Sequence, residues 1–294
     1  MKLSTFTILL GIASPFCLLA TTGQTAQAGT LSNNWNYSID SFKDGTEGAT
    51  IGDNSKFEFY GMAFREMNDR VYFALNSNLS TSGYTYGGAR NGKISYGDLL
   101  LNFRGSNFNQ ANGNLLGIRF DASNDTQLKL GLYGNVQATS LTSVNGGYAH
   151  MSDHTKYVNA SGSASYGDLA ETVSTTGTSY FNSQQAAPTN INSGTFLGNI
   201  SSLMSKTDLS SLGLDFSQFG AKGEYTFGFS VDKALLPNGD FVASLFAECG
   251  NDGVALVGET KSVPEPSSLA GLMAVLGLVV GSRQLRRRSQ DSVV

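Results

Sequence analysis

Seven short runs of aromatic and branched residues, punctuated by glycine and asparagine, set the limits on what this chain can become. They are residues 56–60, 70–75, 98–103, 115–120, 128–133, 224–231 and 241–248. Runs of this length, bounded by turn-forming residues, predict strands rather than helices. Long helical periodicity is scarce, and 35 glycines supply tight turns. The expected fold is mainly β: an antiparallel β-sandwich of jelly-roll-like type, because packing two sheets face to face buries many short strands. Short helices are expected at 195–204 and 209–214, where leucine spacing turns helical. Residues 139–185, dense in Ser, Thr, Gly and Asn, read as long surface loops or a mobile excursion. Ser95-Tyr96-Gly97-Asp98-Leu99 recurs there as Ser165-Tyr166-Gly167-Asp168-Leu169. Two pentapeptides make no repeat architecture, and a recurring turn chemistry is the reading adopted.

The two ends have a different character from the body. Lys2, an apolar stretch over 6–20 and Ala26-Gln27-Ala28 follow the order of a secretory signal peptide, with cleavage expected after Ala28. Pro15 interrupts the apolar stretch and 21–27 is polar, which argues against a permanent anchor; Cys17 lacks the small-residue context of a lipid-attachment site. At the other end, Val263-Pro264-Glu265-Pro266 precedes an apolar run over 269–280 and then Arg283, Arg286, Arg287 and Arg288. The 20 residues from 263 to 282 are just enough for one transmembrane helix. The arginines form a basic stop that stays on the cytoplasmic side, leaving the body outside the inner membrane. Pro264 and Pro266 favour an extended, accessible backbone around Glu265. The expected organisation is a signal peptide over 1–28, an extracytoplasmic β-rich domain over 29–260 and a sorting segment over 261–294.

The motif Val263-Pro264-Glu265-Pro266, the apolar helix and the arginine cluster resemble the PEP-CTERM sorting signal read by exosortases. Residues 35–42, 73–78, 96–103 and 235–244 resemble a family of cyanobacterial exosortase-dependent surface proteins. Glu248-Cys249-Gly250-Asn251-Asp252 is similar to an ending that several such families carry before the signal. The resemblance implies export, tethering to the inner membrane by the C-terminal helix, processing near the motif and delivery to the cell surface or extracellular matrix. It implies signal peptidase, the general secretion machinery and an exosortase as partners, and no catalytic residues.

Composition narrows the function classes. Of 19 Lys and Arg, six lie in the two end segments; of 23 Asp and Glu, two do, so the body carries a net charge of about −8. An acidic body argues against nucleic acid as a partner. Cys249 is the one cysteine outside the signal peptide, so no internal disulfide can form. It is expected as a partly buried structural thiol at a strand end.

Candidate chemistry is sparse. His150 and His154 would share a face if helical, but the neighbouring Gly146, Gly147 and Ser152 favour solvated loop histidines. No G-x-S-x-G elbow supports a serine hydrolase. Asp40, Asp44 and Glu47 offer oxygen ligands for Ca²⁺, yet Phe42 and Ile51 occupy the third and twelfth positions of an EF-hand loop and break the pattern. Asn68-Asp69, Asn124-Asp125 and Asn251-Asp252 fit turns between strands. No metal is assigned; Ca²⁺ on the sandwich rim is the one cofactor kept in view. Trp35, Tyr84, Tyr86 and Tyr96 are candidate sugar-stacking aromatics, which would make surface polysaccharide a partner and a lectin-like module the alternative function. Packing competes with that reading, above all for Trp35 beside Tyr37 and Ile39.

Overall fold

The computed structural model of the protein describes residues 29–169 and 179–261. The chain opens with β1 (Thr30–Ser32) and β2 (Trp35–Ile39), then a small ladder of β3 (Thr46–Glu47) and β4 (Thr50–Ile51). Next come β5 (Phe59–Met67) and β6 (Arg70–Ser77), a second small ladder of β7 (Tyr84–Thr85) and β8 (Lys93–Ile94), and β9 (Leu99–Asn102). Helix α1 (Phe108–Ala111) leads into β10 (Leu115–Arg119) and β11 (Gly131–Thr139), and α2 (Met151–Val158) precedes β12 (Asn190–Gly198). The chain continues through β13 (Met204–Ser205), α3 (Lys206–Ser211), β14 (Tyr225–Asp232), β15 (Gly239–Phe246) and β16 (Gly253–Thr260).

Two antiparallel six-stranded sheets result, ordered β1-β2-β5-β6-β14-β13 and β12-β11-β10-β9-β15-β16. Period-two alternation decides which side chains meet. On β6, Val71, Phe73 and Leu75 point into the space between the sheets, whereas Ala74 joins a cluster on the outer face. On β9, Leu99 and Leu101 point inward and Leu100 outward. In β5 the register against β6 shifts between Phe59 and Gly61, so both Phe59 and Met62 reach the inner core despite an odd spacing. Across the interface Phe64 meets Phe241 edge-on at 5.0 Å, and Phe120 stacks on Phe229 at 4.9 Å. Each fully buried ring contributes about 1.5–3 kcal/mol.

Both outer faces are also covered. Trp35, Tyr37 and Tyr60 pack beneath Leu209, Leu214 and Phe216, and the Trp35 indole N–H donates to the Leu212 carbonyl at 3.0 Å. On the second sheet, Leu100, Leu115 and Tyr133 pack with Phe108, Met151 and Phe181.

The expected helix at 195–204 is instead the end of β12, whose residues pair with β11, followed by irregular chain. The expected helix at 209–214 starts earlier, as α3, because Ser205 and Asp208 form a reciprocal capping box that fixes its first turn. The described part of 139–185 is not a mobile excursion: it contains α2 and places Met151, Val158 and Tyr166 in the interior. Among the described residues no helix is long and apolar enough to cross a membrane. The expected transmembrane helix and signal peptide lie outside the described residues.

Candidate functional site

Four carboxylates from three separate stretches of chain converge at one end of the sheets. Asp40 follows β2, Asp44 lies in the next loop, Glu58 precedes β5 and Asp252 precedes β16. All are buried, with Asp44, Glu58 and Asp252 completely inaccessible. Asp40, Asp44 and Asp252 each bring a carboxylate oxygen within 4.8 Å of the others.

Backbone donors hold each group. Ser165 N–H donates to Asp44 Oδ2 at 2.7 Å, while Ser165 Oγ and Gly167 N–H donate to Asp40 Oδ1 at 2.8 and 2.9 Å. Gly45 N–H donates to Glu58 Oε2 at 2.7 Å. Phe59 and Gly253 N–H groups donate to the two oxygens of Asp252, both at 2.7 Å. A side chain at 45 would place its Cβ 2.4 Å from the Glu58 Cα, so only glycine lets the loop approach this closely. Gly167, at φ +59°, similarly sits against the Ser38 hydroxyl.

These bonds use only part of the acceptor capacity. Asp40 Oδ2, Asp44 Oδ1 and Glu58 Oε1 are buried without any hydrogen-bond partner. Ion pairs among the described residues join Lys56 to Glu224, Lys222 to Asp53, Lys233 to Glu66 and His150 to Asp153; none reaches the quartet. Burial pushes all four carboxyls above the ordinary carboxylate range. For Asp44, Glu58 and Asp252 the neighbouring carboxylates push further in the same direction. All-oxygen donors of this kind suit a hard cation.

A second acidic knot lies beside the first along the chain. Glu248 Oε1 accepts from Asp125 N–H at 2.7 Å and from Asn190 Nδ2 at 2.8 Å, and its Oε2 accepts from Ser95 N–H at 3.2 Å. Asp98 accepts from Asn124 Nδ2, Thr126 Oγ1 and Ile191 N–H at 2.8, 2.5 and 2.7 Å. Unlike Asp40, Asp44 and Glu58, both carboxylates here have hydrogen bonds on each oxygen. Burial pushes Asp98 up to about 6 and Glu248 up to about 7.

The repeated pentapeptide links the two knots. In each copy the serine N–H docks on a buried carboxylate: Ser95 on Glu248, Ser165 on Asp44. In each copy the aspartate accepts an N–H from a strand: Asp98 from Ile191, Asp168 from Val257. The Glu248–Asp252 segment joins them from the other side, since its first residue serves one knot and its last the other.

Several sequence expectations change here. Asp40 and Asp44 do come together, but Glu47 does not join them; its carboxylate caps Lys56 N–H at 3.1 Å. The missing partners, Glu58 and Asp252, come from residues distant in sequence, and Asp252 does more than shape a turn. His150 and His154 belong to the start and body of α2, not to a solvated loop. They do not pair: His150 is exposed beside Asp153, and buried His154 places Nε2 3.0 Å from both the Asp44 and Asn251 carbonyls. Burial depresses the His154 pKa, and Nε2 contacts two carbonyls of the loops that carry the quartet. Cys249 is completely rather than partly buried, in the turn after β15, and burial pushes its thiol up to about 12. Trp35 and Tyr96 are core residues with no exposed surface, Tyr84 packs edge-on against Phe57, and Tyr86 is exposed. Ala26 and Ala28, Val263 to Pro266, and Arg283, Arg286, Arg287 and Arg288 lie outside the described residues.

Comparison with protein-family models, with curated proteins and with solved structures gave no match.

Proposed function

We propose that this chain is an exported cell-surface or extracellular-matrix protein, sorted by an exosortase through Val263, Pro264, Glu265 and Pro266, with no enzymatic activity of its own. The observation that carries the reading is the three-part order of motif, apolar run and arginines at one end, matched by signal-peptide order at the other. The fold is compatible with it. Among the described residues the last strand ends at Thr260, and Lys261 N–H is held by Glu66 Oε1 at 3.0 Å, two residues before Val263 in sequence. Gly29, the first residue after the expected cleavage, and Lys261 border the same groove between the two sheets. In architecture we class the body as a β-sandwich; the sequential neighbours β9 to β12 bring it closer to two packed meanders than to a jelly roll. Its role is display: a rigid acidic domain carried outward.

The lectin-like alternative asks for several exposed, coplanar aromatics. With Trp35 and Tyr96 in the core, only Tyr84 and Tyr86 remain for it.

Cell fractionation of the wild type and of a Pro264→Ala/Glu265→Ala variant tests the route. The wild type is expected at the surface or in the medium, and the variant in the inner membrane. Identical distributions of the two would overturn the sorting proposal.

A further inference from the structure

The buried quartet poses a charge problem that the polypeptide leaves open. The four carboxylates are buried near one another, and among the described residues no lysine or arginine pairs with any of them. Three of their oxygens, on Asp40, Asp44 and Glu58, have no donor at all. A buried polar atom without a partner is strongly destabilising, and an unpaired buried charge more so. The other oxygen of each of these carboxylates is fastened by a backbone N–H group, which fixes the orientation of the carboxylate. Preorganised, buried and unpartnered oxygens are what a metal site has and what a solvated acidic loop lacks.

We propose that Asp40, Asp44 and Asp252 bind one Ca²⁺ ion, beside Glu58, that fastens the end of β2 to the start of β16. The donor set is entirely oxygen, which excludes the soft and imidazole-seeking metals. Oxygens on opposite sides of Ca²⁺ are about 4.6–5.2 Å apart, and the three aspartates' oxygens fall within 4.8 Å of one another. Mg²⁺ needs a shorter, near-octahedral shell and usually retains several waters, so an all-carboxylate buried site suits it less well than Ca²⁺. The ion crosses between sheets, because β2 belongs to one and β16 to the other. It also secures the Ser165–Gly167 loop, whose donors hold Asp40 and Asp44.

The test is calorimetric titration of CaCl₂ into purified protein stripped with EGTA, with thermal unfolding recorded in each state. The expected result is one Ca²⁺ per chain and a higher Tm, with a much smaller effect of MgCl₂ at equal concentration. Asp44→Asn keeps an acceptor for Ser165 N–H while removing the unpartnered oxygen. It is expected to weaken Ca²⁺ binding at least about tenfold, and its Tm in EGTA is expected to equal or exceed that of the wild type. That second reading shows that the variant folds. Glu47→Gln, outside the quartet, is expected to bind as the wild type does. Absence of Ca²⁺ uptake up to about 10 mM, beyond the range of weak extracellular sites, would overturn the proposal and leave the quartet protonated. Unchanged binding in Asp44→Asn would overturn it equally.

Discussion

Replacing Glu248 with alanine probes the second acidic knot through a pH dependence whose sign is fixed by burial. The substitution strips the acceptor from three buried donors: Ser95 N–H, Asp125 N–H and Asn190 Nδ2. At about 1–2 kcal/mol for each stranded donor, the loss in mildly acidic solution is about 3–6 kcal/mol. The wild-type carboxyl, however, is pushed by burial from 4.5 up to about 7. A raised folded-state pKa contributes stability that is fully present below the unfolded value and lost as pH rises through the folded one. Between pH 5 and pH 8 the wild type therefore forfeits about 2.5 kcal/mol at this site, and the alanine variant forfeits nothing there. The cost of Glu248→Ala should accordingly fall from about 3–6 kcal/mol at pH 5 to about 0.5–3.5 at pH 8. Urea unfolding of both proteins at both pH values, in EGTA and followed by circular dichroism, measures this. With a urea m-value of about 3 kcal/mol/M, the gap between the two midpoints should narrow by about 0.8 M on going to pH 8. A cost that is equal at the two pH values, or larger at pH 8, would refute the reasoning.

Two further predictions rest on the core. Phe241 touches Phe64 and Phe103 at centroid distances of 5.0 and 5.1 Å and is buried between the sheets, so Phe241→Ala should destabilise by about 3–5 kcal/mol and lower Tm by about 6–20 °C, as read by calorimetry. Cys249, buried with its thiol pushed up to about 12, should resist a thiol-specific reagent in native buffer at pH 8 and react stoichiometrically in denaturant; rapid native labelling would show that the β15–β16 turn opens.

The strands were largely legible in the sequence because period-two alternation and turn residues are local signals. Residues 70–75 and 224–231 fall within or next to β6 and β14, and those two strands pair through eight consecutive residues. The misread helices show where local signals end. The leucine pattern over 195–204 looks helical, yet pairing with β11 decides its conformation. Conversely, the glycines before His150 suggested a loop, while Met151, His154, Thr155 and Val158 make a buried stripe that stabilises α2. The quartet was half visible: Asp40 and Asp44 stood out by spacing, whereas Glu58 and Asp252 join them only through the register of β2 against β5 and the packing of β16 on both. The repeated pentapeptide was the one sequence signal of the paired acidic knots, since both copies present the same N–H and carboxylate to their surroundings.

The most direct test of the central claim is the intact mass of the protein recovered from outside the cell. The account predicts a chain that begins at Gly29 and ends near the Val263–Pro266 motif, without Arg283, Arg286, Arg287 and Arg288. A mass that retains those arginines would contradict it and identify the C-terminal run as a plain anchor.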